Sequence, residues 1–303
     1  MEHNALVRED GRSTLPEGRT LTYAELGDPA GHPVIYFHGS PSSRLEPLMI
    51  GDETLRRHGL RVVAPDRPGM GGSVFVRGRG MADWPADVAA LADGLGLERF
   101  SILGNSGGGP YVAACAARIP ERLLSAVIVS GGWRMDWPEA RAGLPLPNRV
   151  AMFLAKRAPI LLQLLLTAMG SVKEGDPEKE LAQLEKRMPP PDVAAFREPG
   201  RLAAFARTMR ECVRQGTKGA TWDMQLYVRD FGFRPEEVRM AVAWFHGEAD
   251  TNAPIALARR AVASLPGVRL VTYPGEAHLS TLVNHISAIA AAVRGHAASG
   301  VKP

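Results

Sequence analysis

The sequence has few cysteines, no long apolar run and no basic run, and each absence excludes a class of protein. Only two cysteines, Cys115 and Cys212, occur among 303 residues. That is too few for a disulfide framework, so we expect two free, buried thiols. The most apolar stretch, residues 159–169, is about half as long as a membrane span requires, and Lys156 and Arg157 precede it. The chain is therefore not expected to span a membrane.

The charge is slightly basic but evenly distributed. Lysine and arginine number 36 against 32 aspartates and glutamates. No run of five or six basic residues occurs, which argues against a nucleic-acid surface. Met1-Glu2-His3-Asn4 lacks a basic segment followed by an apolar core, so we expect no signal peptide and a cytoplasmic protein. The composition does not determine the oligomeric state.

Strand-like and helix-like segments alternate in two parts of the chain. The expected strands are 20–26, 34–37, 60–64, 100–103, 123–129, 240–245 and 268–273. The expected helices are 43–58, 83–95, 107–118, 254–264 and 279–293. This alternation predicts an α/β fold in which a mostly parallel central sheet is flanked by helices.

The alternation is interrupted between residues 132 and 230, where helical stretches rich in Leu, Met and Trp are separated by Pro and Gly. This segment has too many bulky apolar side chains to be a free linker: Trp133, Trp137, Phe153, Phe196, Phe205 and Trp222. We therefore divide the chain into a first core part (1–131), a helical lid (132–230) and a second core part (231–303). A lid over the carboxyl edge of the sheet would cover the place where open α/β sheets bind ligands.

The best nucleophile candidate is Ser106, within Gly104-Asn105-Ser106-Gly107-Gly108. This G-x-S-x-G pattern follows an apolar strand and opens a helix, so it predicts a sharp turn that exposes the serine hydroxyl beside the helix N-terminus. A phosphate-binding loop is the alternative, but no Lys-Ser or Lys-Thr follows.

A serine needs an adjacent base, and His278 is the best candidate. It lies in the loop between the last expected strand and the last expected helix. His246 ends a strand, where packing is the simpler role. The other candidates fall on tails or helix surfaces: His3, His58, His285 and His296.

The acid that orients the histidine is expected to be Asp250, which follows strand 240–245. Glu248 is the local rival and Asp136 the distant one. Asp250 could also cap the helix near Pro254.

Two backbone amides should stabilise an oxyanion. The residue after the nucleophile, Gly107, supplies one. Ser40, in the loop His38-Gly39-Ser40-Pro41-Ser42-Ser43, is the natural second donor. Substrate contacts are expected at four positions: His38, Gly39, Asn105 and Trp222.

Together these motifs resemble the α/β-hydrolase superfamily over nearly the whole chain. The resemblance rests on the His38-Gly39 loop, the glycine-rich turn 66–73, the 104–108 elbow, Asp250 and His278, in the family's order of Ser, Asp, His. We interpret the turn 66–73 as a structural feature and do not expect it to take part in catalysis. The lid-bearing esterases usually carry His-Gly-x-Pro-Gly in the first loop, and Ser42 stands in the place of that last glycine.

The resemblance implies a serine hydrolase that cleaves a small-molecule carboxylic ester through an acyl-enzyme, without a metal or organic cofactor. Haloalkane dehalogenases and epoxide hydrolases of this superfamily use an aspartate nucleophile, so Ser106 argues against both. Thioesters, peptides with a free N-terminus and carbon–carbon bonds remain open as substrates. A biosynthetic cyclase or lyase, or a small-molecule receptor, could use the same pocket without net hydrolysis.

Overall fold

A computed structural model of the chain describes residues 7–170 and 177–295. Within these ranges eight strands form one sheet in the order β1-β2-β4-β3-β5-β6-β7-β8. The strands are β1 (Arg8–Thr14), β2 (Thr20–Gly27), β3 (His32–Phe37), β4 (Leu60–Pro65), β5 (Phe100–Asn105), β6 (Leu123–Val129), β7 (Val242–Gly247) and β8 (Val268–Tyr273). Strands β1, β2 and β4 pair antiparallel, and every other pairing is parallel. The expected mostly parallel sheet is confirmed.

Helices cover both faces of the sheet. They are α1 (Asp52–Arg57), α2 (Trp84–Gly94), α3 (Gly109–Arg118), α4 (Pro138–Gly143), α5 (Leu146–Arg157), α6 (Pro159–Gly170), α7 (Pro177–Glu185), α8 (Pro190–Phe196), α9 (Arg201–Cys212), α10 (Lys218–Leu226), α11 (Ile255–Ser264), α12 (His278–Asn284) and α13 (Ile286–Val293). None of these is long and apolar enough to cross a membrane.

The period-two alternation of β3 divides the core into two layers. Ile35 and Phe37 point into a cluster with α2, α3 and α11, whereas Val34 and Tyr36 point into a second cluster with α1, α12 and α13. All four side chains are fully buried, which explains why this strand reads as a continuous apolar run.

Helices α4 to α10 follow β6 and precede β7, where the sequence predicts a helical insertion. Helix α9 packs against a 3-10 turn at Glu46–Met49, and α8 packs against α12. Both contacts lie beyond the carboxyl ends of strands, β3 in the first case and β8 in the second.

Three elements differ from the sequence expectation. β1 was not expected, because residues 8–14 lack large apolar side chains and so carry no apolar alternation. The expected helix 43–58 is broken, since Gly51 has a φ of 93°. The expected helix 279–293 ends at Asn284 and restarts at Ile286.

Candidate active site

Ser106 lies on a sharp turn between β5 and α3. Its φ is 52°, a left-handed conformation that non-glycine residues rarely adopt. The surrounding backbones are too close for side chains. A β-carbon on Gly104 would lie 2.6 Å from Gly108 O, and one on Gly108 would lie 2.2 Å from Phe37 O. The glycines therefore allow the packing that holds the serine on this turn.

His278 and Asp250 form a buried pair. His278 Nδ1 lies 2.7 Å from Asp250 Oδ2, and the two side chains are 15% and 0% exposed. The other carboxylate oxygen, Asp250 Oδ1, accepts the backbone N–H groups of Asn252 at 2.8 Å and Ala253 at 2.9 Å. These bonds fix the carboxylate, so His278 carries its proton on Nδ1 and has Nε2 available to accept another.

The rival carboxylates are engaged elsewhere. Glu248 pairs with Arg259 at the surface, and Asp136 pairs with Arg134 and Lys156. His246, the alternative histidine, is buried and accepts a hydrogen bond from the indole of Trp244. Its Nε2 then donates to Ala253 O at 2.7 Å, so it is held as a neutral packing residue.

Nearby carboxylates change the pKa of His278. Burial disfavours the charged imidazolium, but Asp250, and beyond it Asp192 and Glu46, outweigh burial and raise the pKa of His278 to about 8. Burial also opposes ionisation of Asp250, yet the neighbouring His278 lowers the pKa of that carboxyl below its ordinary value. The Asp250 carboxylate therefore stabilises the protonated form of His278.

The loop 38–43 and the turn after β5 meet at Gly107. A β-carbon on Gly107 would lie 3.0 Å from Ser40 N and 2.5 Å from the Tyr227 hydroxyl oxygen. The amides of Ser40 and Gly107 are therefore neighbours beside Ser106, as two oxyanion donors would need to be. Gly39 N–H is directed away and donates to Glu46 Oε2 at 2.9 Å.

The carbonyl groups of this loop are held by Arg67. Its guanidinium donates to His38 O at 2.5 Å and to Gly39 O at 2.6 Å. His38 is fully buried; its Nε2 accepts from Arg67 N at 3.2 Å, and its Nδ1 donates to Gly39 O at 2.8 Å. Burial and the adjacent Arg67 hold the pKa of His38 well below its usual value. His38 is therefore a neutral support of the loop.

The sequence did not reveal the charge network around Asp223. This fully buried carboxylate on α10 pairs with Arg67 at 2.9 Å and with Arg79 at 2.9 Å. It also accepts the hydroxyl of Tyr111 at 2.5 Å. Tyr227, one turn further along, donates to Gly107 O at 2.7 Å. The insertion is thereby anchored to the loop 38–43 through Arg67 and to the turn after β5 through Gly107.

Asp192, on α8, is a second carboxylate that the sequence did not reveal. Its side chain is fully buried and accepts the backbone N–H groups of His278 at 3.2 Å, Leu279 at 2.9 Å and Ser280 at 2.9 Å. These are the first residues of α12, so a carboxylate from the insertion caps the helix that begins at His278. No local motif marks such a long-range cap.

A cavity of about 430 Å³ contains Ser106 and His278. Both residues lie in the described part of the chain, and no hydrogen bond joins the Ser106 side chain to the His278 side chain there. Of the expected contact residues, Gly39 and Asn105 line the cavity, and Asn105 donates to Glu46 at 2.9 Å. Six methionines of the described chain also line it: Met49, Met135, Met152, Met188, Met209 and Met224.

The structure does not bring His38 or Trp222 to this cavity: neither is among its described lining residues. Trp222 instead donates from its indole to Arg79 O at 2.9 Å and packs edge-on against Phe75. A bulky apolar residue in the insertion can either pack within the fold or contact substrate, and Trp222 packs within the fold. No group of three or more metal-ligating side chains occurs in the described part of the chain.

Comparisons with known proteins agree on the fold. A family model described as the alpha/beta hydrolase fold matches residues 32–284. The chain is 38% identical over 125 residues to a non-heme chloroperoxidase of Streptomyces lividans. This alignment covers 40% of this chain and 44% of that relative, so the chain spans less than half of the relative's length. It is 27% identical over 284 residues to a bifunctional esterase/perhydrolase of Acinetobacter calcoaceticus, covering 88% and 92% of the two chains.

Among solved structures, a hydrolase from Pseudomonas aeruginosa PA01 is similar with a TM-score of 0.64. Its sequence is 22% identical, and the match covers 98% of this chain and 99% of that one. At this identity the likeness shows a shared fold alone.

Proposed function

This chain belongs to the α/β-hydrolase fold family, and we propose that it is a serine-dependent hydrolase of small-molecule carboxylic esters or related acyl compounds. The observation that carries the proposal is the Asp250–His278 pair, joined at 2.7 Å, because His278 lines the cavity that also holds Ser106. Because His278 donates from Nδ1 to Asp250, its Nε2 is the nitrogen that would accept the serine proton.

The reaction follows from these positions. Ser106 Oγ attacks the acyl carbon while its proton passes to His278 Nε2, and the amides of Ser40 and Gly107 stabilise the resulting oxyanion. The imidazolium then protonates the leaving alcohol, which leaves an acyl-serine. Water, deprotonated by His278, attacks this ester, and the carboxylic acid departs as Ser106 regains its proton.

The cavity wall favours apolar substrates. Residues 132–230 are proposed as the lid, because α5, α9 and α10 supply Met152, Met209 and Met224 to the wall. Methionine side chains are flexible and adapt to different shapes. A cavity of about 430 Å³ with such a wall suits an uncharged ester of moderate size rather than a macromolecule. The two buried free thiols are compatible with action in the cytoplasm.

The proposal is tested with a fluorophosphonate probe and a series of p-nitrophenyl esters of increasing acyl length. Wild-type protein should be labelled and should turn over esters, whereas Ser106→Ala should lose both while circular dichroism stays unchanged. Ser42→Ala is the matched control, because Ser42 lines the same cavity but its hydroxyl donates to Glu46. Labelling of Ser106→Ala at the wild-type rate would place the nucleophile elsewhere. Labelling without turnover would favour a receptor.

Perhydrolysis is a second candidate, favoured by the relative named esterase/perhydrolase that aligns over most of the chain. In that reaction hydrogen peroxide replaces water as the attacking group, so the acyl-serine yields a peracid and free Ser106. Peracid formation from an ester and hydrogen peroxide would be lost in Ser106→Ala together with hydrolysis.

A further inference from the structure

The outward surface of α5 and α6 is apolar and exposed. Large hydrophobic side chains on this surface each have between 40% and 74% of their area exposed. They are Leu146, Val150 and Phe153 on α5 and Ile160, Leu161, Leu164 and Leu165 on α6. We call this set the α5–α6 face. Helices α5 and α6 contact each other, and large apolar side chains grouped on the exposed surface of a folded protein mark an interaction site.

Folding does not explain the α5–α6 face, because each helix already has a separate buried side. On α5, Ala151 and Met152 line the catalytic cavity and Ala155 is 1% exposed. On α6, Leu162 is fully buried in the core. The outward residues of α5 recur at i, i+4 and i+7, which is the spacing of a second apolar stripe. The buried side of each helix is already covered by the fold, whereas the second apolar side is left exposed and could contact a further partner.

Positive charge borders the α5 part of the α5–α6 face. A notch of about 370 Å³ is lined by Leu146, Val150 and Phe153 together with four cationic side chains: Arg141, Arg149, Lys156 and Arg157. Its acidic lining residue in the described part of the chain, Asp136, already pairs with Arg134 and Lys156. The surface therefore combines exposed apolar side chains with a surplus of positive charge.

We propose that the α5–α6 face docks on an anionic lipid surface. Apolar side chains would enter the boundary between headgroups and acyl chains, while Arg149 and Arg157 contact lipid phosphates. A second copy of this chain fits less well, because a symmetric contact would bring two sets of cations together. Docking does not require a membrane-spanning helix.

The α5–α6 face lies next to the catalytic cavity. Met135, Leu144 and Met152 line both the cavity and the notch. A lipid bound at the notch would therefore contact the other side of the cavity wall. The docking surface itself does not depend on the proposed hydrolysis, and its test uses no substrate.

The 303-residue chain would be sedimented with vesicles of phosphatidylcholine alone and of equal parts phosphatidylcholine and phosphatidylglycerol. We expect about tenfold stronger binding to the anionic vesicles, decreasing at high salt. Phe153→Asp and Leu164→Asp should each weaken binding by about tenfold, as should the charge reversal Arg149→Glu. Val74→Asp is the matched control, since Val74 is 45% exposed and lies outside the face.

Circular dichroism and thermal melting would establish that each variant is folded. Equal sedimentation of wild type with both kinds of vesicle, or equal losses in Val74→Asp and Phe153→Asp, would overturn the proposal. A concentration-dependent dimer that Phe153→Asp dissociates, without vesicle binding, would identify a second copy as the occupant and equally overturn it.

Discussion

His278 is surrounded by more negative charge than its sequence context indicates. The residues around it predict an ordinary histidine, with an ionisation at roughly pH 6 to 7. The structure differs, because Asp250 on one side and Asp192 and Glu46 further away raise its pKa to about 8. Of these three carboxylates, only Asp250 could be assigned from the sequence.

The pH dependence of catalysis should report this environment. Only neutral His278 can accept the Ser106 proton, so kcat/KM should rise with pH through a pKa of about 8 in the free enzyme. The measurement is ester hydrolysis between pH 5 and 10 at substrate concentrations far below KM. A midpoint at pH 6 would contradict the carboxylate surroundings described for His278.

Replacing Asp250 should be far more damaging than replacing its neighbour Glu248. Asp250→Asn removes the charge that stabilises the imidazolium and disturbs the Nδ1 proton, so kcat should fall by about four orders of magnitude. Glu248→Gln is the control, because Glu248 pairs with Arg259 at the surface and should keep most of the activity. The reverse ranking in steady-state kinetics would assign the acid to Glu248.

At the scale of elements, helix α12 depends on the insertion. Asp192 of α8 accepts three N–H groups at the start of α12, and its charge helps raise the pKa of His278. Asp192→Asn keeps one acceptor oxygen but removes the charge. The kcat/KM midpoint should therefore move to lower pH, and kcat should fall roughly tenfold as the imidazole loses its position.

Asp192→Glu serves as the comparison for this variant, since it keeps the negative charge. Its kcat/KM midpoint should stay nearer to that of the wild type than the midpoint of Asp192→Asn. Identical pH profiles for wild type and Asp192→Asn, with reduced thermal stability, would mean that the cap is only structural.

Selectivity should depend on helix residues that face the cavity. Met209 of α9 lines it, whereas Trp222 of α10 packs against Phe75 outside it. Met209→Ala should reorder p-nitrophenyl esters by acyl length, because losing a few methylene contacts changes relative kcat/KM by about 10- to 200-fold. Trp222→Ala should lower the melting temperature and leave the order unchanged. A change of order in Trp222→Ala alone would reverse this assignment.

Sequence patterns predicted the elements better than their ends. The strands β3 to β6 stand out because each is largely buried and rich in apolar residues. The break between α12 and α13 does not, because it depends on tertiary contacts of one residue. The His285 ring stacks on Tyr273 with 3.6 Å between ring centres and contacts Glu276 at 3.2 Å. Neither contact is readable from the helical period alone.

At the scale of the whole molecule, two buried histidines make stability depend on pH. Burial lowers the pKa of both His38 and His246 below the value of 6.5 that applies to the unfolded chain. The unfolded state therefore binds more protons as pH falls below 6.5, and stability is lost in that direction. For His278 the sign is opposite, since its raised pKa gives stability below pH 6.5 that is lost as pH rises through 8.

Unfolding free energy should accordingly fall as the pH decreases below 6.5, by up to about 1.4 kcal/mol per pH unit for each histidine that stays neutral in the folded state. Urea titrations at a series of pH values would measure it. His246→Asn should make the slope shallower, because of the two buried histidines only His38 would remain to contribute. An unchanged slope in His246→Asn would exclude that residue as a source.

The overall architecture was predictable because strand-like and helix-like segments alternate along the chain, and this alternation stops where the insertion begins. The joining of insertion and core was not. Arg67 and Asp223 form a fully buried ion pair across the two parts, yet they are far apart in the chain and belong to no shared motif. Asp223 also pairs with Arg79, so removing Asp223 would leave two buried guanidinium groups without their carboxylate and would cost about 3–5 kcal/mol.

The placement of the insertion also matters while the chain is being synthesised. Strands β6 and β7 are sheet neighbours, but about 110 residues separate Val129 from Val242. At about 5–20 residues per second, a ribosome needs about 6 to 22 seconds to add them. During that interval the edge of β6 that pairs with β7 in the folded protein has no partner. A nascent chain stalled within the insertion should therefore be captured by chaperones, which bind exposed strand edges, until β7 emerges and closes the sheet.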